Sequence, residues 1–182
     1  MKTARNFLAF AIAIFSLSAV SVSAQSYAGG SRQASKTIEQ QIFKKLISLP
    51  RYDVFDFINY KVENGTVILG GKVNSLGTKR DAASAVKRIP GVTNVINNID
   101  ELPPSPFDER IRRQALRTFG SAGLYRYLWE NNPEVRIIVE NGHITLEGNV
   151  ANSGDSNLLN IYANGIPDVF SVKNNLVVGS PR

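Results

Sequence analysis

Three arginines at helical spacing are the residues of this sequence best suited to bind a charged ligand. Arg110, Arg113 and Arg117 lie at positions i, i+3 and i+7, so a helix would place them on one face, with Arg112 beside them. A guanidinium group can donate two parallel hydrogen bonds to a phosphate. The spacing therefore predicts a phosphate-binding helix face, and the alternative is a solvated arginine face without a ligand.

Three aromatic residues follow this predicted helix. They are Tyr125, Tyr127 and Trp129, the last being the only tryptophan of the chain. Tyrosine and tryptophan favour the head-group region of a bilayer. A cationic helix face beside aromatic residues is typical of docking on an anionic lipid surface. Alternatively, these aromatic side chains pack under their own segment or against the earlier half of the chain.

A second basic cluster lies earlier in the chain. It comprises Lys79, Arg80, Lys87 and Arg88, on a predicted helix. This cluster is a secondary candidate for an anionic partner, and the alternative is an ordinary solvated helix face. The formal net charge of +6 falls to +4 without Lys2 and Arg5. Such a mild excess does not indicate a nucleic-acid-binding protein.

The residues needed for catalysis or for metal binding are scarce. The chain has no cysteine and a single histidine, His143, with no acidic partner nearby in the sequence. No glycine-rich phosphate loop, nucleophile motif or metal-ligand spacing is present. We therefore expect no enzymatic activity, no metal, no cofactor and no small-molecule substrate.

An internal repeat organises the elements that position these residues. Residues 62–73 and 139–150 are identical at seven of twelve positions, with an offset of 77 residues, and the same offset matches 89–98 with 166–175. The chain is therefore a tandem of one small module.

Most of the shared residues have a structural explanation. Asn-Gly pairs predict a tight turn between two strands, because that turn needs positive φ. Glycines further along are predicted on the core-facing side of the return strand, where a missing side chain lets a helix approach. These turn and packing residues are Asn64, Gly65, Gly71, Asn141, Gly142 and Gly148.

Hydrophobic periodicity gives each copy the order helix, strand, strand, helix, strand. In the last helix of the second copy, Leu159, Tyr162, Ala163 and Ile166 form the predicted buried stripe. We expect an α+β fold of two tandem αββαβ modules, each a three-stranded sheet with two helices on one face.

The predicted boundaries divide the chain into five parts. A basic and then apolar stretch ending in small residues predicts a signal peptide over 1–24, cleaved near Ala24. A flexible leader covers 25–36, the first module 37–102, a proline-rich linker 103–107 and the second module 108–179. Because the linker is short, we expect the modules to touch.

The repeated hairpin and the Ile-Pro end of the second helix resemble the BON domain family. Two copies behind a signal peptide, without a cysteine for lipidation, are similar to soluble periplasmic tandem-BON proteins induced by osmotic stress. The resemblance implies an envelope location, binding to phospholipid surfaces or to protein partners, and no catalytic residues.

Two hypotheses of different classes follow for the function. The first is a non-enzymatic, exported periplasmic protein that binds anionic phospholipid surfaces peripherally, with a possible part in envelope or osmotic stress protection. The second is a protein-interaction scaffold that binds envelope proteins without lipid contact. A chaperone-like role is a third reading, which no residue of the sequence singles out.

Overall fold

The computed structural model describes residues 37–128 and 133–179. The first module contains two helices and a sheet with the strand order β1-β2-β3. β1 and β2 are antiparallel, whereas β2 and β3 are parallel. Its elements are α1 (37–47), β1 (Phe57–Glu63), β2 (Thr66–Val73), α2 (Thr78–Lys87) and β3 (Asn94–Glu101).

The second module repeats this order with a broken last strand. Its sheet has the order β4-β5-β6, and the short β7 also pairs with β5. A π-helical turn (Gly120–Leu124) and a 3₁₀ turn (Tyr125–Tyr127) follow its first helix. The other elements are α3 (Pro106–Phe119), β4 (Val135–Glu140), β5 (His143–Val150), α4 (Ser153–Asn164), β6 (Ser171–Asn174) and β7 (Val177–Val178).

The predicted α+β class with two tandem modules is confirmed. The last strand of the second module is a detail that differs, since the sequence predicts one strand over 169–178. Its interruption lies beside Asn174, whose Oδ1 accepts a hydrogen bond from the backbone N–H of Leu176 at 3.1 Å. The equivalent Asn97 accepts the same kind of bond from the backbone N–H of Ile99 at 3.3 Å, yet β3 is continuous, so this bond alone does not end the strand.

Each module buries its helices on one face of its sheet. In the first module, Ile42 and Leu46 of α1 and Val86 of α2 pack against alternate strand residues such as Leu69 and Ile99. In the second module the corresponding helix residues are Phe119 and Leu159. The alternation along the strands and the spacing along the helices create one continuous apolar layer in each module.

The Asn-Gly turns have the expected backbone conformation. Asn64 and Gly65 have φ of 48° and 80°, and Asn141 and Gly142 have φ of 51° and 79°. Two successive residues with positive φ match the tight hairpin turn predicted from the sequence.

The explanation predicted for Gly71 and Gly148 is wrong. A Cβ atom on Gly148 would lie 2.0 Å from the carbonyl oxygen of Glu134, and one on Gly71 would lie 2.1 Å from that of Phe57. The close approach is therefore made by the backbone of the preceding strand and not by a helix. Both glycines also have positive φ, 110° for Gly71 and 114° for Gly148, which L side chains rarely adopt.

The two modules touch, as expected, because a segment of the first covers the edge strand of the second. Val54, which precedes β1, is buried within the hydrophobic core of the second module. Its carbonyl oxygen accepts a hydrogen bond of 2.8 Å from the backbone N–H of Ile137 in β4. An uncovered edge strand would leave such groups unpaired, so this contact completes the second sheet.

Arg136 of β4 joins the modules a second time. Only 5% of this residue is exposed, and its guanidinium donates to the carbonyl oxygen of Asp53 at 2.6 Å. The same group lies 4.4 Å from the ring centroid of Tyr52, within the range of a cation–π contact. A third link is the ion pair between Lys72 and Glu140. We call this set of contacts the module junction.

Asp56 stabilises the loop at the module junction from a fully buried position. One carboxylate oxygen accepts from the backbone N–H of Asn74 at 2.6 Å, and the other accepts from that of Asp53 at 3.2 Å. Burial raises the pKa of Asp56 to about 6, while the hydrogen bond from Asn74 opposes that rise. The carboxyl group therefore titrates in a mildly acidic range.

Replacing Gly148 should destabilise the protein far more than replacing a glycine with space around it. We expect Gly148→Ala to lower the free energy of unfolding by at least about 2 kcal/mol, because of the positive φ and the carbonyl contact. Gly165 is the control, since its φ is −84° and a Cβ atom placed on it would lie 3.6 Å from the nearest neighbouring atom. Urea unfolding that gives equal effects for Gly148→Ala and Gly165→Ala would contradict this explanation.

The stability of the protein should depend on pH through Asp56. The folded protein retains a proton on this carboxyl that the unfolded chain releases, so stability should fall as pH rises from 3.8 to about 6. Asp56→Asn should reduce that fall by up to about 3 kcal/mol. Urea unfolding at pH 4 and pH 7 measures the difference, and Asp100→Asn at an exposed position is the control. An unchanged pH dependence in Asp56→Asn would be the contrary result.

Candidate functional site

Helix α3 presents the three arginines because its opposite side is committed to the core. Ser105 caps the helix by accepting a hydrogen bond from the backbone N–H of Asp108 at 3.1 Å, and Pro106 opens it. The side toward the sheet is buried and consists of Asp108, Ile111, Arg112, Ala115 and Phe119. The outward side carries Arg110, Arg113 and Arg117, all exposed, which we call the arginine face.

The members of the arginine face differ in their neighbours. Arg110 lies 5.5 Å from the centroid of the Phe107 ring, and Arg113 pairs with Glu109 at 3.2 Å. Arg117 donates to the neutral Gln114 at 3.3 Å. Among the described residues, Glu109 is the only carboxylate that forms an ion pair with this face, so Arg110 and Arg117 have no ion-pair partner there.

A groove runs along the arginine face. It has a volume of about 490 Å³ and is bounded on the other side by Pro167 and Asp168, which follow α4. All three arginines line it. The groove is open to solvent, which suits guanidinium groups that reach toward an extended anionic surface.

Arg112 does not belong to this surface, although it is adjacent in the sequence. Only 1% of it is exposed, and its guanidinium donates to the carbonyl oxygen of Val139 at 2.6 Å. It also pairs with Glu109 at 3.5 Å. Arg112 therefore connects α3 to β4, and a soluble or membrane-bound anion has no access to it.

The two tyrosines that follow α3 lie in different environments. Tyr125 is 41% exposed and its ring packs over Gly120, so it is accessible to a partner. Tyr127 is 2% exposed, which removes it from the predicted lipid-contacting set. Trp129 lies outside the described residues.

Tyr127 is buried because its hydroxyl has two partners inside the second module. It donates to Asp155 at 2.5 Å and accepts from the backbone N–H of Ala151 at 3.1 Å. Arg126 pairs with the same carboxylate at 2.8 Å. The hydrogen bonds from Tyr127 and Arg126 hold the pKa of Asp155 below its usual value. Tyr127 therefore attaches the segment after α3 to the start of α4.

The second basic cluster forms a loose surface patch on α2. Arg80, Lys87 and Arg88 are exposed and Lys79 is half-buried. Arg80 lies 3.6 Å from the adjacent Asp81. The Nε of Arg88 donates to the carbonyl oxygen of Ser84 at 3.0 Å. These contacts are local to the helix and do not assemble the four cations into a pocket.

Helix α4 has an exposed apolar surface that was not predicted from the sequence. Leu158, Ile161 and Tyr162 are 41%, 64% and 38% exposed, whereas the periodicity predicts a buried Tyr162. The signal was present in the pairs Leu158-Leu159 and Ile161-Tyr162. The buried stripe through Leu159 and Ala163 leaves Leu158 and Ile161 about 100–200° away around the helix, so they point outward.

An open cleft of about 320 Å³ lies between the two sheets. Its polar lining includes Lys72, Glu140, His143, Glu147 and Lys173. The Nδ1 of the exposed His143 is 2.7 Å from the Ser171 hydroxyl oxygen. Within residues 37–128 and 133–179, no group of three histidine, cysteine or carboxylate side chains could hold a metal ion.

None of the helices in the described part of the chain is both long and apolar enough to span a bilayer. The family model of the BON domain matches residues 34–103 and 108–180. No match was found among curated proteins.

Two solved structures of one secretion protein are similar to this chain. Both are of CdsD, a structural protein of the type III secretion system of Chlamydia trachomatis. One is 12% identical, covers 80% of this chain and 93% of its own, and has a TM-score of 0.32. The other, a C-terminal domain, is 13% identical, covers 78% of this chain and 96% of its own, and has a TM-score of 0.31. Similarity at this level carries no argument about function.

Removing the Tyr127 hydroxyl should destabilise the second module in a pH-dependent manner. Because the pKa of Asp155 is lowered, its stabilising contribution is present above pH 3.8 and is lost as pH falls. We expect Tyr127→Phe to cost about 1–3 kcal/mol at pH 7 and less at pH 3. Urea unfolding at both pH values tests this, with Tyr162→Phe as the control for an exposed hydroxyl. Equal costs at the two pH values would argue against the Tyr127–Asp155 bond.

Proposed function

The chain belongs to the BON domain family, and from that membership we propose that it binds anionic phospholipid surfaces peripherally as a non-enzymatic protein of the cell envelope. The BON domain is a non-catalytic family whose members are typically exported. We further propose that the protein acts in the periplasm after cleavage near Ala24, with a part in envelope or osmotic stress protection. Residues 1–36 lie outside the described part of the chain.

The proposal rests mainly on the arginine face. Arg110, Arg113 and Arg117 are exposed on one side of α3, and only Arg113 has a carboxylate partner among the described residues. Three exposed guanidinium groups in a row on one helix, two of them without an ion-pair partner, suit an array of phosphates. The exposed Tyr125, which follows α3 closely, supports an interfacial role.

The expected strength of such binding is modest. A basic residue near an anionic bilayer contributes about 1 kcal/mol, and the attraction is screened within about 10 Å at moderate ionic strength. Three arginines therefore support reversible attachment rather than permanent anchoring. The binding should weaken as salt concentration rises, because the attraction is between exposed charges and head-group phosphates.

The first module has its basic patch on α2, the helix that corresponds to α4 at the offset of 77. Its basic patch of Lys79, Arg80, Lys87 and Arg88 contains an adjacent carboxylate, Asp81, which contacts Arg80 at 3.6 Å. The three arginines of α3 line one groove, whereas the cations of α2 do not assemble into a pocket, so the second module offers the better phosphate-binding surface. The patch on α2 provides a matched control, since its cations can be removed with the same change in net charge.

Neutralising two arginines of the second module should weaken vesicle binding selectively. Arg113→Gln with Arg117→Gln removes two charges without creating like-charge repulsion beside Glu109. We expect the affinity for vesicles containing phosphatidylglycerol to fall about 30-fold, since each cation contributes about 1 kcal/mol. Sedimentation with vesicles at low and high salt measures the affinity and its salt dependence.

The control for this experiment is Lys87→Gln with Arg88→Gln in the first module. It should leave vesicle binding within about twofold of the wild type, because those charges lie outside the proposed surface. Equal losses of vesicle affinity in the two double variants would show that binding depends only on net charge and would contradict a site on α3. Absence of vesicle binding by the wild type, together with stable capture of an envelope protein, would favour the scaffold function.

A further inference from the structure

The outward side of α4 is apolar, which is unusual for a helix that already buries one side. Leu159 and Ala163 are fully buried against the sheet. Ile161 lies roughly opposite them around the helix and is 64% exposed, and Leu158 and Tyr162 are exposed beside it. We call Leu158, Ile161 and Tyr162 the apolar flank of α4.

The fold itself does not require the apolar flank. The equivalent residues of α2, at the offset of 77, are Asp81, Ser84 and Ala85. Helix α2 packs on its sheet through Ala82 and Val86 just as α4 packs through Leu159 and Ala163. One helix of the pair is therefore polar outside and the other apolar outside, although both perform the same packing role. Exposed apolar clusters of this kind mark surfaces that meet a partner.

Leu158 and Tyr162 of the apolar flank lie on the side of α4 that faces α3, and Ile161 beside them points outward. The Asn174 side chain of β6 donates to the hydroxyl oxygen of Ser156 at 3.0 Å, so the Ser156 side of α4 faces β6. Leu158 and Tyr162 lie about 200–240° around the helix from Ser156, on the other side. Helix α3 packs above β4, across the sheet from β6. The apolar flank and the arginine face are therefore neighbours on one helical layer.

The outer surface of α4 carries no acidic side chain, and the exposed Asp168 lies just beyond the end of this helix. The only charged residue of this helix is Asp155, which is 8% exposed and paired with Arg126. The outward side otherwise carries asparagines, including Asn157 and Asn164. A negatively charged partner attracted by the arginine face would therefore meet an uncharged, apolar surface on the adjacent helix.

These observations favour one occupant, the interfacial region of an anionic bilayer. We propose that Leu158, Ile161 and Tyr162 insert between lipid head groups while the arginine face pairs with the phosphates, an inference that rests on the proposed function. A bilayer interface presents phosphates and acyl chains at adjacent depths, which matches cations on one helix beside apolar groups on the next. Insertion adds a contribution to binding that salt does not screen.

Direct labelling tests insertion, because the chain has no cysteine of its own. Ile161→Cys carries an environment-sensitive fluorophore, and Ser84→Cys carries the same fluorophore at the equivalent exposed position of the first module. With phosphatidylglycerol vesicles that contain acyl-chain nitroxide lipids, the label at position 161 should shift to the blue and be quenched. The label at position 84 should not change. An unquenched label at position 161 in vesicle-bound protein overturns the proposal.

Binding measurements give an independent test. Ile161→Ser with Tyr162→Ala introduces the residues of the first module and leaves net charge unchanged. We expect affinity for the same vesicles to fall about tenfold or more, including at high salt, where the loss of apolar burial persists. Urea unfolding checks that the variant is fully folded in the binding assay, because Tyr162 is only 38% exposed and its truncation removes some packing.

The outcomes separate this inference from the proposed function. If wild-type protein does not bind the vesicles, both fail. If wild-type protein binds and Arg113→Gln with Arg117→Gln weakens it, but Ile161→Ser with Tyr162→Ala does not, only the insertion fails. If the label at position 161 is shielded by a second protein and never by lipid, the apolar flank is a protein-binding surface and insertion is again excluded.

Discussion

Burial of two helices on one face of a three-stranded sheet is the constraint on which this molecule depends. It determines which side of every helix points inward, and the two modules satisfy it with similar residues, such as Val86 in α2 and Ala163 in α4. The outward sides are not constrained in this way. They have diverged, so that the second module carries both the arginine face and the apolar flank. The candidate functional surface therefore consists of outward helix residues, which packing on the sheet does not constrain.

The module junction gives the second module a support that the first lacks. Val54 is inserted in the core of the second module, and its carbonyl oxygen completes the edge of β4 through Ile137. Buried Arg136 and Arg112 each donate to a backbone carbonyl oxygen beside this strand. A buried guanidinium needs such partners, because its desolvation is costly. The first module thus acts as part of the scaffold that holds α3 and α4 in place.

Local patterns in the sequence were sufficient to predict the modules, the Asn-Gly turns and the outward direction of Arg110, Arg113 and Arg117. They were insufficient wherever a residue's environment is made by a distant segment. Tyr127 is buried because Asp155 and Ala151 lie above it, a contact between residues far apart in the chain. Gly148 is required because the backbone of Glu134 approaches it. A glycine in the sequence does not reveal which backbone segment lies against it in the fold. The apolar flank was recoverable, since α4 has more apolar residues than one buried side can hold.

We propose that one helical layer, made of α3 and α4, faces the bilayer. Amide relaxation measured across the whole chain on nanodiscs containing phosphatidylglycerol, with a paramagnetic group on the lipid head, tests this orientation. We expect the strongest enhancement at Arg113, Arg117 and Ile161, and little at the outer side of α2 or in the cleft between the sheets. Enhancement centred on α2, or spread evenly over both modules, would contradict it.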